Sequence, residues 1–267
     1  ATELGDFVGG IYWDVEKFYN SISIPLLLAR AQELSFPPML LALMGAAYTG
    51  TRIITADAAS EAIAVTTSLP AGCGYAIHGA RVVLYPLLQH MTIEHPKIIP
   101  GQWVDDVVTR AIGAQGEVVL ALTDVAIDFA AALQRDGLQV SIKSSIVTSI
   151  AKIGRSLVKS LAAKGLHLRT ARSVRDLGVD ATAGTGRSKK VIKSRCAGAA
   201  LRHKRVLDLR RCAGAKAGKK LFNTGTAPAA TFGLLAHGPS PRLLQRLRAQ
   251  SAQASGYGGM GRCTTTT

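Results

Sequence analysis

The sequence predicts an α+β fold in which an antiparallel sheet carries helices on one face and a basic α-helical segment follows. Three observations predict it. Strand-forming and helix-forming stretches succeed one another in the order β-αα-ββ-α-ββ-α-β up to about residue 183. Two adjacent carboxylates, Asp105 and Asp106, sit between the β-formers Trp103-Val104 and Val107-Val108; this marks a hairpin tip, because Asp is depleted in strands and common in turns. The charge is also divided: residues 1–150 hold 8 Lys and Arg against 14 Asp and Glu, net −6, whereas residues 151–267 hold 24 against 3, net +21. Such a split sets an acidic working half beside a half that grips a polyanion. Nucleic acid is the leading polyanion, since Lys and Arg contacts to phosphate dominate that affinity; an anionic membrane surface is the second.

The 267 residues, 48% hydrophobic, suffice for one large core or two modest ones. No apolar run approaches the roughly 20 residues that span a bilayer. Met39–Tyr48 is too short, and Val118–Leu133 is interrupted by Asp124 and Asp128, so no membrane partner is expected. Cys73, Cys196, Cys212 and Cys263 show neither CxxC spacing nor matching His pairs. That argues against a zinc site or a disulfide framework and suits a reducing compartment. The chain opens on Ala1 without a charged-then-apolar leader and reads as a soluble piece of a longer protein.

The elements follow in order. Residues 6–15 read as a strand ending in Asp14, a carboxylate inside an apolar, aromatic run where it is unwelcome unless paired or metal-bound. Ser23 caps a helix with Pro25 in its first turn, and a second helix runs from Pro38 to Tyr48 and closes at Gly50. Thr51–Thr55 and Ala62–Thr66 look like a hairpin of short strands. Pro70, Gly72 and Gly74 shape a loop whose backbone can approach a ligand, ahead of a helix from about Ala76 to Met91. After the Asp pair, Glu117–Arg135 is a long helix with Val118, Leu122, Val125, Phe129 and Leu133 on one face. Gly137–Val147 is turn and strand, Leu157–Ala163 helix, and Leu168–Val179 a last hairpin. Gly184-Thr185-Gly186 is a linker. Lys/Arg-rich helix follows from Ser188 to about Lys220, with a short helix over Pro241–Gln250 and a disordered tail over 251–267.

An Asp pair at a turn is by itself an ordinary solvated tip. Two like charges side by side cost energy unless a cation compensates, and Mg²⁺ suits them because it takes carboxylate oxygens and substrate phosphates. The weight comes from company. Asp14 with Phe18-Tyr19, then Leu69-Pro70-Ala71-Gly72, Trp103-Val104-Asp105-Asp106, Gly137-Leu138 with Lys143, and finally Leu177-Gly178 fall in a fixed order. This succession resembles the palm of reverse transcriptases, RNA-directed DNA polymerases, especially those of non-LTR retrotransposons and group II intron relatives. The likeness covers about residues 6–180, and the basic helical segment after it resembles part of the thumb. It implies a palm over 1–183, a thumb-like segment over 184–250 and a tail over 251–267.

The resemblance also implies roles. Asp14 and Asp105 would bridge two Mg²⁺ ions (Mn²⁺ as a substitute) about 3.5–4 Å apart, with Asp106 supporting the site. Val15 and Glu16 would offer backbone contacts to the triphosphate, and Gly72 would let its loop approach the template–nucleotide pair. Tyr19, five residues after Asp14, would sit beneath the sugar and exclude a 2′-hydroxyl, the group that tells RNA from DNA. Lys143 would act as general acid to the departing pyrophosphate. The partners implied are an RNA template, a DNA primer and dNTPs, with fingers and an endonuclease outside this chain.

Two positions depart from the family pattern: Ala71 stands where Gln is usual, and Trp103 where Tyr or Phe is usual. Two other functions fit the same residues less fully. One is a catalytically inactive, palm-derived nucleic-acid-binding remnant, favoured by Ala71. The other is a metal-dependent nuclease, disfavoured because the six histidines do not cluster near the Asp pair in the sequence.

Overall fold

The computed structural model describes residues 5–55, 57–70, 73–184, 186, 188–234 and 238–257. The chain divides into two compact units, Ala1–Val174 with Thr182–Gly186, and Arg175–Ala181 with Arg187–Thr267. The hairpin around Leu177-Gly178, counted with the first segment in the sequence-based division, therefore groups with the second unit. The expected Gly72 and Ala71 loop positions, the linker's Thr185 and residues 258–267 of the expected tail lie outside the described residues.

The first unit is α+β. Strands β1 (Phe7–Trp13), β2 (Ile99–Trp103), β3 (Asp106–Gly113), β4 (Ser145–Thr148) and β5 (Arg169–Thr170) form one sheet in the order β2-β3-β1-β4-β5. Every pairing is antiparallel except β4 with β5. Successive side chains on a strand point to opposite faces. On β1, Phe7, Ile11 and Trp13 are buried, and Trp13 meets Phe129 edge-on with ring centroids 4.9 Å apart. Gly9 shares that face: a Cβ there would fall 2.6 Å from Leu122 Cδ1, so a larger residue would force the fully buried Leu122 side chain to shift.

That helix is α5 in a series of six: α1 (Phe18–Ser21), α2 (Ile24–Glu33), α3 (Pro38–Tyr48), α4 (Ala76–Glu94), α5 (Gln115–Arg135) and α6 (Ala151–Ala163). Ser23 caps α2 through Leu26 N–H, and the stripe Val118, Leu122, Val125, Phe129 and Leu133 of α5 is buried as its spacing requires. Two expectations are corrected. Among the described residues of 51–66, the two expected strands meet only at the isolated antiparallel bridge Arg52↔Ile63, with a second bridge, Thr55↔Ala59, inside the turn. Their β-formers Ile53, Ile54 and Ile63 are 59%, 64% and 45% exposed, so no core holds them in a ladder. And α6 starts at Ala151, six residues before Leu157, its first turn carrying Gly154, which weakens the helical signal.

Two polar contacts inside this unit escape any local pattern. The Trp13 indole N–H donates to Thr109 Oγ at 3.1 Å, with Thr109 fully buried. Thr109→Val keeps the shape and strips the acceptor, so it is expected to cost about 1–3 kcal/mol. Urea unfolding followed by tryptophan emission measures this, and a loss under about 0.5 kcal/mol would show that the indole finds another partner. The second contact is the Arg30 guanidinium, which donates to both Asp136 oxygens at 2.7 and 2.8 Å and to Val83 O at 2.8 Å. It joins α2, α4 and the residue that ends α5.

The second unit is built on helices. A hairpin of β6 (Val174–Asp176) and β7 (Val179–Ala181) turns at Leu177 and Gly178, both at positive φ (46° and 77°). Then come α7 (Lys190–Leu221), a π-helical turn (Phe222–Thr226), α8 (Ala227–Thr231) and α9 (Pro241–Ala254). α7 carries eleven Lys and Arg against the single Asp208, and it kinks at Gly214 (φ 84°). Asp180, buried, accepts from Ser188 Oγ and from Val191 N–H, both at 2.9 Å. A carboxylate thus serves the N-terminus of α7, where the helix dipole favours negative charge. α9 runs four residues past Gln250 into the segment expected to be disordered. Its small residues explain this: Ala252 and Ala254 are buried, and a Cβ on Gly218 would fall 2.5 Å from Ala254 O. Among the described residues no helix is long and apolar enough to cross a membrane.

Candidate active site

The site grows out of the register between β1 and β3. Trp13 pairs with Val107, so one step further Asp14 stands opposite Asp106. Trp103 pairs with Asp106, which leaves Val104 and Asp105 as a two-residue turn between β2 and β3. Because Trp13 points into the helices, Asp14 points the other way, onto the open face of the sheet, where it is exposed. The turn is strained. Val104 holds φ 61°, a left-handed conformation that a β-branched residue rarely adopts. Such outliers persist where the surroundings impose them, and they cluster at functional sites.

The backbone of Asp14 is held by a strap, residues 139–144. Ser141 N–H donates to Asp14 O at 2.7 Å, and Glu16 N–H donates to Gln139 O at 2.8 Å, framing a bridge between Val15 and Val140. Fully buried Ser144 completes the grip: its hydroxyl donates to Asp14 O at 3.1 Å and accepts from Asp14 N–H at 2.9 Å. Ser141 Oγ accepts from Lys143 N–H at 3.2 Å, which fixes the turn that carries Lys143. Ser141 and Ser144 were not foreseen; their signal, small hydroxyl residues flanking Lys143, is common to many turns.

Past Asp14 the chain reverses at Lys17 (φ 46°, ψ 41°) into α1, which buries Phe18. Tyr19 stacks edge-on against Phe18 at 5.5 Å, and its carbonyl accepts from Leu69 N–H at 2.8 Å. The result is an open cleft of about 760 Å³. It gathers Asp14, Val15, Glu16, Tyr19, Asp105 and Lys143, with Lys17 and Asn20 beside them. Asp106, exposed on the next position of the tip, is outside the lining, yet its charge reaches the cleft. Burial first, and then the neighbouring Asp105 and Asp106 carboxylates, push the Tyr19 phenol above its ordinary pKa, so Tyr19 is a neutral ring at physiological pH. The amide of Glu16, expected to meet phosphate, is already committed to Gln139.

Before α4, the Tyr48 hydroxyl lies 3.2 Å from Cys73 Sγ. That hydrogen bond is the main reason the thiol is held below its ordinary pKa.

Among the described residues no three His, Cys, Asp or Glu side chains form a ready-made metal cage. Mg²⁺ does not require one: it binds through one or two carboxylates and completes its shell with water and substrate phosphate. The hard oxygen donors of Asp14 and Asp105, which line one cleft, fit that description. Chemically the cleft offers anionic oxygens for a divalent cation, a neutral aromatic wall and two ammonium groups. No protein-family model matches the chain, and no curated protein sequence matches it.

Proposed function

We propose that this chain is the palm, over residues 1–183, and a thumb-like basic segment, over 184–250, of a retroelement RNA-directed DNA polymerase. The observation that carries the proposal is a single cleft. Asp14, from the end of one strand, and Asp105, from the tip of a hairpin about ninety residues later, line it together with Tyr19 and Lys143. Bound Mg²⁺ would neutralise the phosphates and acidify a primer 3′-hydroxyl. The chain's own groups do the rest. Asp14 and Asp105 would hold the cations, with Asp106 adding negative charge at the tip. Tyr19, neutral and packed on Phe18, would form the floor against which a 2′-hydroxyl clashes. Lys143, poised by Ser141, would give a proton to the departing pyrophosphate. The eleven basic residues of α7 suit a nucleic-acid backbone, whose affinity rests on such contacts. Partners would be an RNA template, a DNA primer and a dNTP, with fingers and an endonuclease supplied by segments outside this chain.

Single-turnover addition of one dNTP to a DNA primer on an RNA template, with Mg²⁺, tests this. Incorporation is expected. Tyr19→Ala is expected to relax the preference for dNTP over NTP by on the order of 10–100-fold. Duplex binding without any incorporation would instead mark the chain as a nucleic-acid-binding remnant of a polymerase.

A further inference from the structure

Of the two lysines in the cleft, the polymerase reading uses only Lys143. We propose that Lys17 is the residue that grips the triphosphate of the incoming nucleotide, its ammonium set against the phosphate oxygens. The inference rests on the polymerase reading.

Three observations lead to it. Lys17 sits at φ 46°, ψ 41°, where L side chains are rare and Gly or Asn would be more at ease. A long cationic side chain therefore stands at a turn whose backbone does not ask for one, in the lining of a charged cleft. Next, the cleft's backbone has little to offer a phosphate at this point. Glu16 N–H is spent on Gln139 O at 2.8 Å, and the exposed Glu16 carboxylate adds negative charge beside Asp14 and Asp105. Positive charge in the lining comes from Lys17 and Lys143 alone among the described residues. Finally, Lys17 makes no ion pair among the described residues, although three carboxylates line the same cleft. Its ammonium is thus available to a ligand. A compact ammonium with three donors on a flexible stem suits phosphate oxygens whose positions change during transfer.

The test is calorimetric binding of Mg²⁺ complexes of dTTP, dTMP and inorganic tripolyphosphate to the full chain. Lys17→Asn and Lys17→Gly both accept the left-handed turn, so fold is preserved. Each is expected to weaken dTTP and tripolyphosphate about tenfold or more while leaving dTMP nearly unchanged, and Lys17→Arg to retain most of the affinity. The lost part should be the salt-sensitive part. Wild-type affinity for tripolyphosphate in both Lys17→Asn and Lys17→Gly overturns the inference, as does an equal loss for dTMP. Asp14→Asn separates the two levels: if it too leaves dTTP binding untouched, the polymerase reading has failed, whereas a loss there with none at Lys17 removes only Lys17's role.

Discussion

If the chain is the proposed polymerase, Asp14→Asn is expected to lower nucleotide incorporation by on the order of 10³-fold and, in the same protein, to abolish stabilisation by Mg²⁺. The two readouts have one cause. Asp14 and Asp105 line one cleft, and the Asp105 and Asp106 charges are both felt by the Tyr19 phenol. A cation that binds only where the fold assembles these carboxylates stabilises the folded state by about 1.4 kcal/mol at tenfold excess over its dissociation constant. Asn keeps the size of Asp14 and removes the charge. Without Mg²⁺ the variant should be at least as stable as the wild type, because a like charge has gone. With Mg²⁺ only the wild type should gain. Tyr19 gives a third, spectroscopic check. Cation binding screens Asp105 and Asp106 and should lower the pH at which tyrosinate absorbance appears, an effect that Tyr19→Phe removes. Equal Mg²⁺ responses in wild type and Asp14→Asn, by thermal unfolding, would rule out a cation site at this tip.

Asp136→Ala is expected to cost the first unit about 3–5 kcal/mol. The pair with Arg30 has side chains only 14% and 9% exposed, so removing the carboxylate strands a guanidinium in a poorly hydrated place. Arg30 also donates to Val83 O at 2.8 Å, so the variant loosens a three-helix junction rather than one bridge. Apolar replacement of both partners, Arg30→Met with Asp136→Leu, should recover most of the loss, since an ion pair stabilises little over well-packed hydrophobic groups. Urea unfolding monitored by far-UV circular dichroism decides it. A single variant within about 1 kcal/mol of wild type would mean that water reaches the pair.

The long-period features were legible in the residues. The 3.6-residue stripe of Val118, Leu122, Val125, Phe129 and Leu133 marked α5, and Ser23 with Pro25 marked the start of α2. Asp105-Asp106 between β-formers marked a hairpin tip, which is where the structure turns at Val104 and Asp105. Local chemistry sufficed for these because each depends on neighbours within a few positions. The hairpin expected at residues 51–66 shows the limit: its two segments meet at the antiparallel bridge Arg52↔Ile63 but extend no ladder from it among the described residues. Its β-branched residues carry strand propensity, but propensity without a surface to bury against leaves only isolated bridges.

What the amino-acid sequence determined by itself was the set of amphipathic elements, the uneven charge and the residue types available for chemistry. Tertiary structure alone decided which of them meet. The β1–β3 register sets Asp14 beside the Asp105–Asp106 tip, Ser141 and Ser144 grip the Asp14 backbone across about 130 residues, and Asp180 serves α7 from a separate hairpin. The reason is physical: periodicity is written by contacts a turn or two apart, whereas a hydrogen bond or a shared cleft between distant segments leaves no local trace until packing fixes the register.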